Sequence, residues 1–409
     1  LSTELVRPIH QLAFPLSLVN AVLTPIRRAC YPLNADKMKR AAQRITGLTD
    51  FGDDNGFEER YRATVASLNR IDWHFIGRAS VRVNVLWSLT NRLRVTHLLK
   101  QHPEIRDVEL DPPVVILGLF RTGSTFLHNV MASDEQLRAG WMWEFGYPAG
   151  RKHDPVKDTK WRQQKCRRTL KLVDWVVPDQ GEVHAVSADQ LEEDFFLLEH
   201  DFSSMKFVVG FGDWQLGRDL LKENLEVSYR YHRLQLQLLS LNQPKRPWLL
   251  KCPWHLWNLE AMMKVYPDAK LIHTHRDVAT AIGSQCSLSS RISARMKCHE
   301  DLSEVGQFWV DYAKEGMRRG LAHRDTLPAS QVYDVRLEDL RQDPRTAFER
   351  MYEHLGLPHT DELFDTLTAR AEDMPALQSG VHEYSIETYE LTDAGVNAEF
   401  SDYRARFGV

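Results

Sequence analysis

Arg121, Thr122, Gly123, Ser124 and Thr125 form the densest group of chemically useful side chains in this 409-residue chain. They follow an apolar run, Val114 to Leu117, and Gly118; an apolar-periodic stretch begins at about Ser124. A buried strand, a tight turn and a helix N-terminus in that order aim several backbone N–H groups and a helix dipole at one point. Such a point suits a phosphate. The spacing Gly118-x4-Gly123 matches a P-loop, yet Ser124 stands where the P-loop lysine belongs. Arg121, inside the turn, is the cation at hand. The turn therefore reads as a site for a nucleotide's phosphate without the Walker arrangement. Chance glycines in an ordinary strand–turn–helix give the same spacing, so a second feature is needed.

That feature lies between Ala269 and Leu288. Leu271, Ile272 and Thr274 suit a short strand with Arg276-Asp277 at its C-terminal end, and a helix runs on through Ala279, Ile282 and Gly283 to Ser284. Ligands of open α/β sheets bind outside the carboxyl ends of strands. Arg276 falls there, and Ser284, eight positions on, falls about two helical turns later. A planar guanidinium fork and a hydroxyl make a cradle for one further phosphate. A third strand, Trp248 to Lys251, is broken by Cys252-Pro253, and a helix with an apolar face follows from near Trp254. Lys251 again ends a strand, and His255 sits in the next helical turn.

Together these segments resemble the sulfotransferases that use 3′-phosphoadenosine 5′-phosphosulfate (PAPS). Arg121-Thr122-Gly123-Ser124-Thr125 matches that family's loop for the 5′-phosphosulfate, and Arg276 with Ser284 matches its 3′-phosphate motif. The resemblance runs from about Pro113 to Pro358 and into the tail, and points to the bacterial-type branch. It implies a P-loop-NTPase-like α/β fold: a central parallel sheet flanked by helices, with a helical N-terminal extension. It implies PAPS as co-substrate and transfer of a sulfuryl group to the hydroxyl of a small apolar alcohol, phenol or lipid. Phe126 falls where some members place an aromatic against adenine, and Leu337 stands where members usually carry a tyrosine. Lys251 matches a functional lysine. Two residues are candidates for the general base. His255 follows Lys251 by four positions, where the family's spacing is usually two. Glu144, within Trp141-Met142-Trp143-Glu144, sits in a region comparable to that of the glutamate used by the branch with protein-tyrosine acceptors, at a slightly different spacing. In this reading Arg121 and Lys251 supply the positive charge that sulfuryl transfer requires. The rival readings are an ATP-dependent kinase on the same fold and a catalytically silent nucleotide-binding module.

Glu192-Glu193-Asp194 precedes the apolar run Phe195 to Leu198 and reads as a cap on the positive end of the next helix. No Cys/His set has zinc-ligand spacing, and no metal is expected. Five scattered cysteines offer no disulfide framework. A net charge of −4 argues against nucleic acid as a partner. The absence of any Asn-x-Ser/Thr sequon fits a cytoplasmic enzyme better than a luminal one. Residues 8–26 lack charged side chains but are interrupted by Pro15 and Pro25, too weak a run for a spanning helix. They are expected to pack on the body of the chain, with peripheral membrane contact as the alternative.

Helices are expected over about 35–47, capped by Asn34 or Asp36, over 57–70 and over 78–100, ahead of the first strand. The expected units are a helical extension (1–110), an α/β core (111–360) and a tail (361–409). The tail is aromatic-rich, with His382, Tyr384, Tyr389, Phe400, Tyr403 and Phe407, and is expected to wrap onto the body. The basic stretch 151–171 reads as a solvated helical face, or as a surface for an anionic acceptor or lipid. Arg291, Arg295 and Lys297 are placed to fold over the donor. Eleven tryptophans and the apolar N-terminal segment suggest an apolar or lipid acceptor.

Overall fold

In a computed structural model, which describes residues 14–151, 155–176, 187–374 and 385–409, five strands form one sheet. They are β1 (Val114–Gly118), β2 (Arg138–Ala139), β3 (Trp248–Lys251), β4 (Lys270–His275) and β5 (Val332–Arg336). The order is β2-β3-β1-β4-β5, and every neighbouring pair is parallel. Parallel strands buried on both faces read as continuous apolar runs; Val114 to Leu117 and Trp248 to Leu250 are such runs, and all of these residues are buried. β1 lies at the centre, Ile116 opposite Lys251 on one side and Gly118 opposite Thr274 on the other. The carboxyl ends of β1, β3 and β4 are therefore neighbours, which is what brings three distant sequence segments to one place.

The longer helices described ahead of the sheet are α1 (Phe14–Leu23), α2 (Ala35–Thr46), α3 (Phe57–Arg70) and α4 (Phe75–Gln101). Asn34 caps α2 through an N–H···O bond from Lys37 at 3.0 Å, and Gly47 ends it in the left-handed region at φ 75°. These helices do not form a separate core. Tyr61, Leu89 and Leu93 share one apolar cluster with Val115, Leu117 and Leu250. Buried polar contacts join the two parts as well: Arg92 pairs with Asp201 at 2.7 Å, and Ser88 donates to Glu199 at 2.9 Å.

After β1 come α5 (Ser124–Met131), α6 (Pro155–Val176), α7 (Phe195–Glu199), α8 (Lys206–Phe211), α9 (Glu226–Ser240), α10 (Val278–Ser293), α11 (Leu302–Arg324) and α12 (Leu337–Gln342). Beyond β3 the chain makes a 3₁₀ turn, Pro253–Asn258, before its next α-helix at Leu259; Pro253 lacks an N–H and opens that turn without loss. The described part of the tail does pack on the sheet. Tyr403 and His275 share a 2.6 Å hydrogen bond, and the Phe407 ring stacks on His275 at 4.1 Å. His382 and Tyr384 lie outside the described residues. So do positions 8–13. Among the described residues, no helix is long and apolar enough to cross a membrane.

Candidate active site

The turn after β1 is held in a conformation that only part of its sequence tolerates easily. Arg121 has φ 62° and Gly123 φ 86°; glycine adopts such values freely, whereas arginine is strained by them. Thr122 stabilises the turn from beneath. Its buried hydroxyl donates to the Leu119 carbonyl at 2.6 Å and meets the Thr274 hydroxyl on β4 at 2.6 Å. The Thr122 side chain thus ties β1 to β4 and does not face the cavity described below. A Cβ on Gly123 would stand 2.5 Å from Leu337 of α12, so Leu337 closes the turn from above.

The two candidate anion motifs meet. Arg121 Nε donates to Ser284 Oγ at 3.1 Å, and Arg276 donates to the Arg121 carbonyl at 3.1 Å. Arg121, Gly123, Ser124, Thr125, Phe126 and Arg276 all line one cavity.

Lys251 lies behind that lining. Its ammonium donates to Glu193 Oε1 at 2.6 Å and to Thr125 Oγ1 at 3.2 Å, with the side chain 2 % exposed. Glu193 lines the cavity; Asp194 does not. The three acids do not cap α7 as expected, for the Asp194 side chain makes no capping bond. Asp194 turns inward instead, where Oδ2 accepts from His255 at 2.8 Å and from His232 at 2.9 Å, and Oδ1 accepts the Lys251 backbone N–H at 3.2 Å. Burial pushes the Asp194 carboxyl up, but the two imidazoles more than offset it and leave the group well below the usual carboxylate range.

The two base candidates sit elsewhere. His255 is 1 % exposed, with Nε2 on Asp194 and Nδ1 bonded to the Tyr229 hydroxyl at 2.8 Å. Glu144 pairs with Arg138 at 3.1 Å and accepts the Trp141 N–H at 3.2 Å, capping the short helix Met142–Gly146. Neither belongs to the cavity wall. Of the three basic residues expected near the donor, Lys297 donates to the Gly212 carbonyl at 2.6 Å and to Glu300 at 3.0 Å, which holds it in the protein body. Glu193 is the residue that sequence reasoning misplaced. The available signal was Lys251 itself, because an ammonium at a buried strand end requires an acid partner.

The cavity measures about 1240 Å³. Beyond the polar end at Arg121 its walls are largely apolar. Phe75, Ile76, Val83 and Trp87 of α4, Phe196 of α7 and Val209 of α8 contribute. The N-terminal helices thus build a wall of the site. Away from the cavity, His273, His275 and Asp334 converge as metal-ligand types do. There Arg324 donates to His273 Nδ1 at 2.8 Å and to Asp334 Oδ2 at 2.5 Å, so a guanidinium already supplies the positive charge.

Residues 112–361 match the profile described as the sulfotransferase family. The chain is 23 % identical over 298 residues to the omega-hydroxy-beta-dihydromenaquinone-9 sulfotransferase Stf3 of Mycobacterium bovis, an alignment spanning 69 % of this chain and 72 % of that protein. The crystal structure of sulfotransferase STF1 from Mycobacterium tuberculosis superposes with a TM-score of 0.79 at 28 % identity, covering 90 % of this chain and 98 % of that one. Sulfotransferase STF9 from Mycobacterium avium gives 0.77 at 25 % identity, covering 92 % and 97 %. With the match extending over more than half of its length, and through every segment of the site from Arg121 to Ser284, the chain belongs to the sulfotransferase family and is an enzyme of sulfuryl transfer.

Proposed function

We propose that the protein transfers the sulfuryl group of PAPS to the hydroxyl of an apolar, lipid-like acceptor, with no metal. One observation carries the reading: the Arg121 turn and the Arg276/Ser284 pair touch each other, at 3.1 Å in each contact, beside a single cavity. One nucleotide carrying phosphates at both ends can then be gripped by both. Arg121 and the N–H groups around Gly123, Ser124 and Thr125 would hold the 5′-phosphosulfate, and Arg276 with Ser284 the 3′-phosphate. The family match favours sulfuryl transfer over phosphoryl transfer, as does Ser124 at the Walker lysine position.

The donor supplies an activated SO3 unit on a phosphate leaving group. The protein must neutralise charge on the leaving oxygen and take the acceptor's proton. Lys251 is suited to the first task, because its ammonium already reaches Thr125 of the donor turn. For the second, the geometry favours Glu193 over His255 and Glu144, since its carboxylate alone of the three faces the cavity and stands beside Lys251. His255 acts here as a positioning residue: through Asp194 it fixes the backbone of both Lys251 and the Glu193–Asp194 segment. The apolar walls support a lipid-like acceptor, and the Stf3 relative is named for a hydroxylated menaquinone derivative.

Incubation with sulfur-35-labelled PAPS and a panel of hydroxylated lipids tests the reading. Labelled lipid product is expected. Stabilisation by Mg-ATP, with none by adenosine 3′,5′-bisphosphate in the absence of magnesium, would contradict it.

A further inference from the structure

The cavity that begins at Arg121 has a second cationic end. Arg94, Arg151, Lys165 and Arg168 all line it, and none belongs to the donor turn. Arg94, near the C-terminal end of α4, is 8 % exposed. Its guanidinium lies 5.1 Å from the centre of the Trp161 ring, and that of Arg151 lies 5.6 Å from the same ring. Lys165 and Arg168 belong to α6 and are exposed at the rim.

These charges are poorly balanced. Among the described residues, Arg94, Lys165 and Arg168 have no ion-pair partner; Arg167 beside them is neutralised by two 2.9 Å bonds to Asp189. Asp158, whose charge acts on Arg94, accepts the Arg151 backbone N–H at 2.9 Å. Burial, and then repulsion from Arg151, lower Arg94 to about 10, and burial followed by repulsion from Arg94, Arg151 and Arg168 lowers Lys165. Lys206, further along the cavity, differs: it lies 3.5 Å over the Trp87 ring with the buried Glu199 carboxyl acting on it.

An aromatic file connects the two ends. Phe195 and Phe196, next to Glu193, stack at 4.3 Å; Phe196 meets Trp87 at 5.9 Å, Trp87 meets Tyr147 at 6.2 Å, and Tyr147 meets Trp161 at 6.4 Å. A cluster of like charges beside a buried arginine is stabilised by a bound anion.

We infer that this end of the cavity is a subsite for an anionic headgroup: the acceptor is an amphiphile whose apolar body lies along the aromatic file and whose phosphate-type group is held by Arg94, Arg151, Lys165 and Arg168. The inference rests on the sulfuryl-transfer reading above and specifies its acceptor. The reacting hydroxyl then lies at the opposite end of the molecule, beside Glu193 and Lys251.

The test uses the full chain saturated with adenosine 3′,5′-bisphosphate, which fills the donor turn and leaves the second basic end open. Binding of dodecyl phosphate, dodecanol and inorganic phosphate is then measured by calorimetry. Dodecyl phosphate is expected to bind at least about tenfold more tightly than either of the others, as charge-assisted hydrogen bonds require. The Lys165→Gln/Arg168→Gln variant, at exposed positions that the fold tolerates, and Arg94→Gln should each lose most of that advantage while keeping dodecanol affinity. Equal affinity for dodecanol and dodecyl phosphate overturns the inference. So does inorganic phosphate binding as tightly as dodecyl phosphate, or an unchanged preference in the Lys165/Arg168 variant. Failure of the nucleotide itself to bind would overturn the sulfuryl-transfer reading and this subsite with it; a nucleotide that binds beside indifference to the headgroup overturns the subsite alone.

Discussion

Arg121 and Ser284, 163 positions apart in the chain, are joined by a 3.1 Å hydrogen bond across the carboxyl ends of β1 and β4. The bond follows from the sheet order, which sets β1 against β4 so that the turn after one strand faces the helix after the other. A bound nucleotide would break that bond, its 3′-phosphate taking the Ser284 hydroxyl as a donor and its 5′-phosphosulfate the Arg121 guanidinium. Ser284→Ala should therefore weaken adenosine 3′,5′-bisphosphate only modestly, by about 1 kcal/mol or roughly fivefold, because a neutral hydroxyl contributes one net hydrogen bond. Calorimetric titration checks this.

Lys251 and Glu193 are expected to fail differently from His255. Lys251→Ala should lower kcat by about a hundredfold or more, through lost stabilisation of the leaving group. Glu193→Gln should lower it by roughly 10²–10⁴ and remove the acid limb of the pH–rate profile. His255→Ala should instead destabilise the fold by about 3 kcal/mol, since it leaves the buried Asp194 short of a partner. Its pH–rate profile should keep the shape of the parent's. A flattened acid limb in the His255 variant would return the base role to that residue.

Stability should fall as the solution is acidified below neutrality. Burial, then the nearby Lys251 charge, hold the His128 imidazole at about 3, and burial holds His200 at about 3. The unfolded chain binds those protons near pH 6.5, so between about 6.5 and 3 the unfolded state carries more protons and stability rises with pH. Each such histidine contributes up to about 1.4 kcal/mol per pH unit within that window. Differential scanning calorimetry from pH 7 to pH 5 should show a falling Tm, and His128→Asn should reduce the slope. A Tm indifferent to pH in this range would contradict the buried neutral state.

Gly123→Ala should cost both stability and donor binding. The new Cβ would meet Leu337 at 2.5 Å, and the φ of 86° disfavours any side chain. Adding Leu337→Ala should relieve the clash with a flexible side chain but leave the backbone penalty of roughly 1–2 kcal/mol. Thermal melts of the single and double variants separate the two contributions.

Much of the proposed donor site is legible from residue types alone, because its parts are local: an apolar strand, a turn with glycines, a helix start. Arg276 and Ser284 are legible for the same reason, sitting at a strand end and two turns into a helix. The base is not. His255 has suitable chemistry at a suitable sequence position, but whether an imidazole faces a cavity or a core depends on what packs over it, and here Asp194 and Tyr229 do. Glu193 and Asp194 are adjacent acids in sequence; one faces the cavity and the other the core, a division set by the tertiary packing of α7 and α9. The basic stretch 151–171 likewise carries no local sign that Lys165 and Arg168 border a cavity while Arg167 is paired off.

The central claim is that one nucleotide bridges the Arg121 turn and the Arg276/Ser284 pair. Its most direct measurement is the affinity of Arg276→Ala, relative to the parent, for adenosine 3′,5′-bisphosphate and for adenosine 5′-phosphate. The bridge predicts a loss of at least about tenfold for the bisphosphate and little change for the monophosphate, which has nothing for Arg276 to hold. Equal losses for both ligands, or none for either, would contradict it.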